Sequence, residues 1–310
     1  MGKSRTPRTW PEAPASLRHS LIDNHCHLPV TAEEIPVADG VALDLDTQLR
    51  RTRAAGVAGV ITCGCEIPAL EPTLALTQCE GVWAALAIHP NEAALHCGVD
   101  EPSPDGLHPK FLPHHRLSLD EAVGRVEELV RANPRVVAVG ETGLDYFRTG
   151  PSGREAQRRS FEAHIALAKE LNVPLQIHDR DAHADTIDVL RRVGAPERTV
   201  FHCFSGDAEM ARVLADNGWY ASFAGPVTFR ANEQLRDAAR VLDATRILVE
   251  TDAPYLTPHP FRGRPNSPYM VGVTVRGLAA ARDEDPDELA RTLTATTCEV
   301  YGISVPELGA

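Results

Sequence analysis

Eight short apolar runs, nearly free of charge, recur along this chain at residues 21–25, 57–63, 82–88, 136–140, 174–178, 199–203, 219–223 and 246–250. Uninterrupted apolar runs of this length mark strands buried on both faces, as in parallel sheets covered by helices. The stretches between them carry helical spacing, for example 45–55, 67–79, 119–132 and 182–193. In 154–171, Phe161, Ile165, Ala168 and Leu171 share one face. Eight strands alternating with helices is the count of a closed parallel barrel, so the expected fold is α/β, a single (β/α)8 TIM barrel over 21–310. A doubly wound open sheet is the rival. A dinucleotide-binding fold is disfavoured, because no Gly-x-Gly-x-x-Gly follows the first strand. With 310 residues and 43% hydrophobic content, the chain can fill such a core.

In a barrel of this kind the strand C-termini converge on one face, so residues distant in sequence share a site. Six potential metal ligands fall at those ends: His25, His27, Glu141, His178, His202 and Asp252. Alternate residues of an extended strand point the same way, so His25 and His27 can grip one ion together. Glu141 follows the run 136–140 directly, and its two oxygens can bridge two ions, which no imidazole can do. Singly, His178 or His202 would read as a hydrogen-bonded histidine at a core edge; repetition on consecutive strands makes a metal centre the better reading. A carboxylate at Asp252 can ligate, orient a water and accept its proton. Glu250, two residues earlier, is expected to support a ligand rather than act as one. Mixed carboxylates and imidazoles suit two divalent ions (zinc, manganese or magnesium), and such a pair can activate water against a phosphodiester or an amide.

The formal net charge of −12 argues against a protein that coats DNA through a global positive field, but not against an enzyme that captures phosphates locally with metals. Seven cysteines, with Cys63-Gly-Cys65 lacking the Cys-x-x-Cys spacing, point to reduced thiols and a cytosolic compartment. No run approaches the ~20 apolar residues of a membrane helix. Residues 1–20, with Lys3, Arg5, Arg8 and three prolines, lack a signal-peptide core and are expected to be a flexible polar leader. The protein is therefore expected to be cytoplasmic, with neither a membrane nor an obligate protein partner. Residues 91–116 carry four prolines with His96, His108, His114 and His115. Four histidines raise the idea of an extra metal site; their irregular spacing favours a plain long surface loop.

The blocks His25-Cys26-His27-Leu28, Gly140-Glu141-Thr142-Gly143-Leu144-Asp145-Tyr146, Ile177-His178-Asp179-Arg180-Asp181-Ala182, Phe201-His202-Cys203-Phe204-Ser205-Gly206 and Glu250-Thr251-Asp252-Ala253-Pro254-Tyr255-Leu256 resemble the signature blocks of the TatD family of metal-dependent deoxyribonucleases, in the family's order. Ile88-His89-Pro90 resembles a further block. The resemblance implies an amidohydrolase-superfamily barrel that hydrolyses DNA phosphodiesters, with 3′→5′ exonuclease action and a preference for single strands or 3′ ends. It also implies that His25, His27, Glu141 and Asp252 hold one ion, and Glu141, His178 and His202 the second. The 91–116 segment is longer than the family's usual connection.

Phosphate contacts are expected from His89, Arg180, Arg262 and Arg264. Each has a structural alternative: His89 anchoring its own loop, Arg180 pairing with Asp179 or Asp181, and 261–266 forming a solvated loop. An amidohydrolase or lactonase acting on a small neutral molecule would use the same six ligands, so the phosphate contacts discriminate. A non-catalytic metal-binding scaffold is the remaining reading.

Overall fold

The computed structural model describes residues 9–306. Eight parallel strands pair in chain order: β1 (Leu21–Cys26), β2 (Val57–Gly64), β3 (Val82–Leu86), β4 (Val136–Asp145), β5 (Leu175–Arg180), β6 (Thr199–Phe201), β7 (Tyr220–Phe223) and β8 (Ile247–Val249). Closure runs one step past β8, where the Asp252 N–H donates to the His25 carbonyl at 3.0 Å and the His27 N–H to the Ala253 carbonyl at 2.7 Å. The Asn24 amide braces the seam by donating to the Val249 carbonyl and the Ser222 hydroxyl. The fold is thus the (β/α)8 barrel, and the open sheet is excluded.

The helices are α1 (Leu45–Ala54), α2 (Ile67–Leu76), α3 (Pro90–His96), α4 (Leu119–Ala132), α5 (Arg154–Leu171), α6 (His183–Val193), α7 (Ala208–Asp216), α8 (Glu233–Val241), α9 (Val271–Arg282) and α10 (Pro286–Tyr301). Their ends follow local chemistry. Ser118 and Glu121 form a reciprocal capping box on α4, and Asn172 ends α5 in the left-handed region. One apolar layer lies between strands and helices, with Phe161, Ile165 and Leu190 at its heart. A second fills the barrel: Ile22, Val137, Val200 and Leu248, each the second residue of its strand, meet Val300, Tyr301 and Ile303 from the end of the chain. The barrel is packed, not hollow, and its chemistry is confined to the opposite strand ends.

Three expectations need correction. β4 does not stop at Gly140 but runs to Asp145, so Glu141 lies within a strand. The pairing with β5 shifts register between Val139 and Thr142, and this bulge re-aims Glu141 before the ladder resumes. The polar Gly-Glu-Thr-Gly sequence hides that continuation. The 91–116 loop opens with α3 and ends in a 3-10 turn, Pro113–Arg116; α3 escapes sequence reading because it is capped by His89 rather than by Ser, Thr, Asp or Asn. The leader is also partly structured. Residues 1–8 lie outside the described residues, but 9–20 dock on the barrel. Trp10 is buried and donates to the Val41 carbonyl, while Pro11 and Ala15 carbonyls accept from Tyr269 and Arg276.

Candidate metal centre

Glu141 is the hub of the site. Its Oε1 faces His27 Nε2 at 3.4 Å and His25 Nε2 at 3.8 Å; its Oε2 faces His178 Nδ1 and His202 Nε2, each at 2.8 Å. Asp252 Oδ1 completes the first group, 3.5 Å from His27 Nε2 and 3.9 Å from His25 Nε2. Ligands about 2.1 Å from a shared tetrahedral ion stand roughly 3.4 Å apart, so the separations in the first group fit an ion among them, whereas the two 2.8 Å contacts of Oε2 are hydrogen bonds that an ion would open. All six expected ligands therefore converge, divided by one carboxylate into two groups. Gly143 permits the approach of β4 to β5: at φ +142°, a Cβ there would meet the His178 carbonyl oxygen at 2.1 Å.

The protonation pattern suits a cation. Burial works against ionisation of Glu141, yet His202, His178 and His27 hold its carboxyl well below the usual range. Burial opposes charge on His202 as well, but Glu141 and Glu250 raise it well above the ordinary imidazole value. His178 is likewise lifted against burial, by Asp145 and Glu141, to about 9. His25 is different: burial and the neighbouring His202 push it well down. A carboxylate that draws protons onto surrounding imidazoles is one where a divalent cation can take the protons' place.

Supporting hydrogen bonds choose which nitrogen each histidine presents. Gln176 donates its amide to the Asn24 carbonyl and the Tyr301 hydroxyl, so its oxygen accepts the His25 Nδ1–H at 3.0 Å and leaves His25 Nε2 facing the carboxylates. Glu250 accepts from His202 Nδ1 and the Cys203 N–H, the supporting role expected of it. Asp145 accepts from His178 Nε2 at 3.1 Å and from the Phe147 and Arg148 N–H groups. Burial resists its charge, but His178 brings it down to about 2. Sequence reasoning passed over Asp145 and Gln176. Gln176 sits two residues before His178 on one strand face, and that spacing was its only signal.

The substrate candidates separate. His89 caps α3 by accepting the Asn91 N–H on Nδ1, which leaves an Nε2–H 3.9 Å from Glu141 Oε2; anchoring its own loop does not use the nitrogen that faces the site. Arg180 lies over the Phe147 ring at 3.9 Å rather than in an ion pair with Asp179 or Asp181. It lines a cavity of about 590 Å³ with Arg148, which sequence reasoning missed. A second cavity of about 690 Å³ adjoins it and carries Glu34, Glu66 and Glu92. Both share His27, His89, Glu141 and Tyr255. Arg262 and Arg264, expected near the substrate, line neither cavity; they lie over Phe229 and Phe261. Their loop is local framework, with the Arg264 carbonyl accepting from Thr257.

Known proteins share this chain's sequence and fold. A family profile described as TatD related DNase matches residues 22–302. The chain is 40% identical over 291 residues to the uncharacterized metal-dependent hydrolase TatD of Mycobacterium tuberculosis, covering 91% of this chain and 98% of that one. It is 36% identical to the uncharacterized metal-dependent hydrolase YcfH of Escherichia coli, covering 93% and 98%. The crystal structure of YjjV, a TatD homolog from Escherichia coli, superposes with a TM-score of 0.75 at 28% identity, covering 92% of this chain and 98% of that one.

Proposed function

The chain belongs to the TatD-related DNase family and is a metal-dependent hydrolase, and from that premise we propose that it removes nucleotides from the 3′ ends of single-stranded DNA. The observation that carries this reading is the division of Glu141 between two donor groups at the junction of two unlike cavities. His25, His27, Glu141 and Asp252 would hold one divalent ion, and Glu141, His178 and His202 the other. Together the ions would supply Lewis acidity that lowers the pKa of a water and offsets charge gathering on the phosphoryl group.

The chain's own residues do the rest. Asp252 orients the attacking water and accepts its proton. The His89 Nε2–H donates to a phosphate oxygen. Arg180 and Arg148 hold the polyanion on one side of the junction, whereas Glu34 and Glu66 repel phosphates on the other. A strand can then continue in one direction only, and the acidic lobe takes a terminal nucleoside. Tyr255, 62% exposed at the shared rim, offers a ring on which a base stacks. The 3′ polarity and the preference for single strands come from the family resemblance. Seven unpaired cysteines fit a cytoplasmic setting, and no helix among the described residues is long and apolar enough to cross a membrane.

The test compares linear with covalently circular single-stranded DNA, for the wild type and Arg180→Ala. We expect the circle to resist. Arg180→Ala should lose about 10- to 100-fold in kcat/KM on the linear strand, the worth of one charge-assisted hydrogen bond, with metal content unchanged. Equal cleavage of both forms would overturn the end-directed reading. Undiminished cleavage by Arg180→Ala would remove Arg180 from the phosphate site, and no cleavage of either form by metal-loaded wild type would favour the small neutral substrate of a lactonase.

A further inference from the structure

We propose that the 97–116 insertion is pinned to α3 by a peripheral cation site for zinc or a similar borderline divalent ion, with Glu92, His96 and His114 as ligands. Glu92 and His96 stand four residues apart on α3 and so share a helix face. The turn Pro113–Arg116 brings His114 and His115 against them. Glu92 Oε2 lies 3.1 Å from His114 Nε2 and 2.9 Å from His115 Nε2, and the donor atoms of these three residues fall within 4.8 Å of one another.

His96 supplies the observation that hydrogen bonding alone leaves unexplained. It is 7% exposed, and its Nδ1–H donates to the Leu117 carbonyl at 2.9 Å. That bond puts the lone pair on Nε2, a buried atom with no hydrogen-bond partner among the described residues. Backbone fixation of one imidazole nitrogen with the other left bare is the usual preparation of a metal ligand. The His96 ring lies 5.9 Å from that of His114 and 5.2 Å from that of His115, centroid to centroid. At the main centre the pairs His25–His27 and His178–His202 stand 5.2 and 5.7 Å apart.

His115 has a different part. Its Nδ1 accepts the Leu112 N–H at 2.9 Å, so its Nε2 keeps a proton and donates to Glu92. It orients the carboxylate rather than ligating. Two imidazoles and a carboxylate, with a fourth place for water, form a donor set that zinc accepts. The ion would tie the insertion to the helix whose first residue follows His89, and so hold the wall of the acidic lobe.

The experiment is zinc stoichiometry on the full chain with the main centre disabled by His25→Ala, Glu141→Ala and Asp252→Ala. Protein is stripped with chelator and dialysed against buffered zinc. The parent should retain about one equivalent more than the same chain carrying His96→Gln or His114→Gln. Zinc should also protect 97–116 from proteolysis in the parent alone. Equal zinc content in parent and variants would overturn the proposal. Should the variants fail to fold, zinc-edge anomalous scattering from crystals of the parent decides. A peak between Glu92, His96 and His114 supports the site, and its absence contradicts it.

Discussion

The Nδ1–H of His25 has one acceptor, the side-chain oxygen of Gln176, and that single bond decides which nitrogen meets Glu141 and Asp252. Gln176→Leu keeps the volume and removes the acceptor. Metal affinity at the His25 group should then fall about 10- to 100-fold, as for other supporting partners of metal-bound histidines. Competition with a calibrated chelator reads this directly, and unchanged affinity would mean that packing alone holds the ring. The convergence of the six expected residues was legible because each stands at the end of a run of apolar residues, and a polar group at a buried strand end needs a reason. Asp145 was not, because it lies at the end of a strand whose last five residues look like a loop. Arg262 and Arg264 misled in the opposite sense. Nearness to Asp252 in sequence does not bring a side chain to the site when it packs elsewhere, as Arg262 does on Phe229 and Arg264 on Phe261.

At the scale of elements, α5 is joined to the segment just past β3 by a histidine with no part in the chemistry. His164 Nε2 accepts the Ile88 N–H at 3.1 Å while its Nδ1–H donates to the Ser160 carbonyl at 2.7 Å. Both bonds require the neutral ring, and burial pushes its pKa down to about 4. The unfolded chain, with an ordinary value near 6.5, binds the proton first. The stabilisation is therefore complete above about pH 6.5 and is lost as pH falls through about 4. Between pH 7 and pH 5 it should cost ~2 kcal/mol. Urea midpoints at the two values, for wild type and His164→Gln, would show the variant losing less on acidification; parallel losses would contradict the assignment. Elements were legible where the period was strong, as in α4 and α5, which occupy the spans the sequence predicts. α3 and the docked residues 9–20 were not, because a seven-residue helix and an extended segment anchored by Trp10 carry no periodicity.

Across the whole molecule, a chain of net charge −12 carries no global field that attracts a polyanion, so any attraction is local. The barrel brings the six expected ligands to the strand ends; Arg148 and Arg180 line one lobe beside the central carboxylates, and the other lobe has carboxylates and no arginine. This asymmetry was invisible in the sequence, since the lobes join loops that follow different strands, and only the pairing of those strands makes them neighbours. The central claim is that Glu141 divides two ions whose joint action cleaves DNA. The most direct test follows a 5′-labelled single-stranded oligonucleotide incubated with metal-stripped protein, with manganese, magnesium or zinc restored in turn, beside Glu141→Ala. Stepwise shortening that requires the ion, with two ions bound per chain at the main centre in the wild type and activity lost together with metal in the variant, is the predicted result. Shortening by metal-free protein, or full activity in Glu141→Ala, would contradict the account.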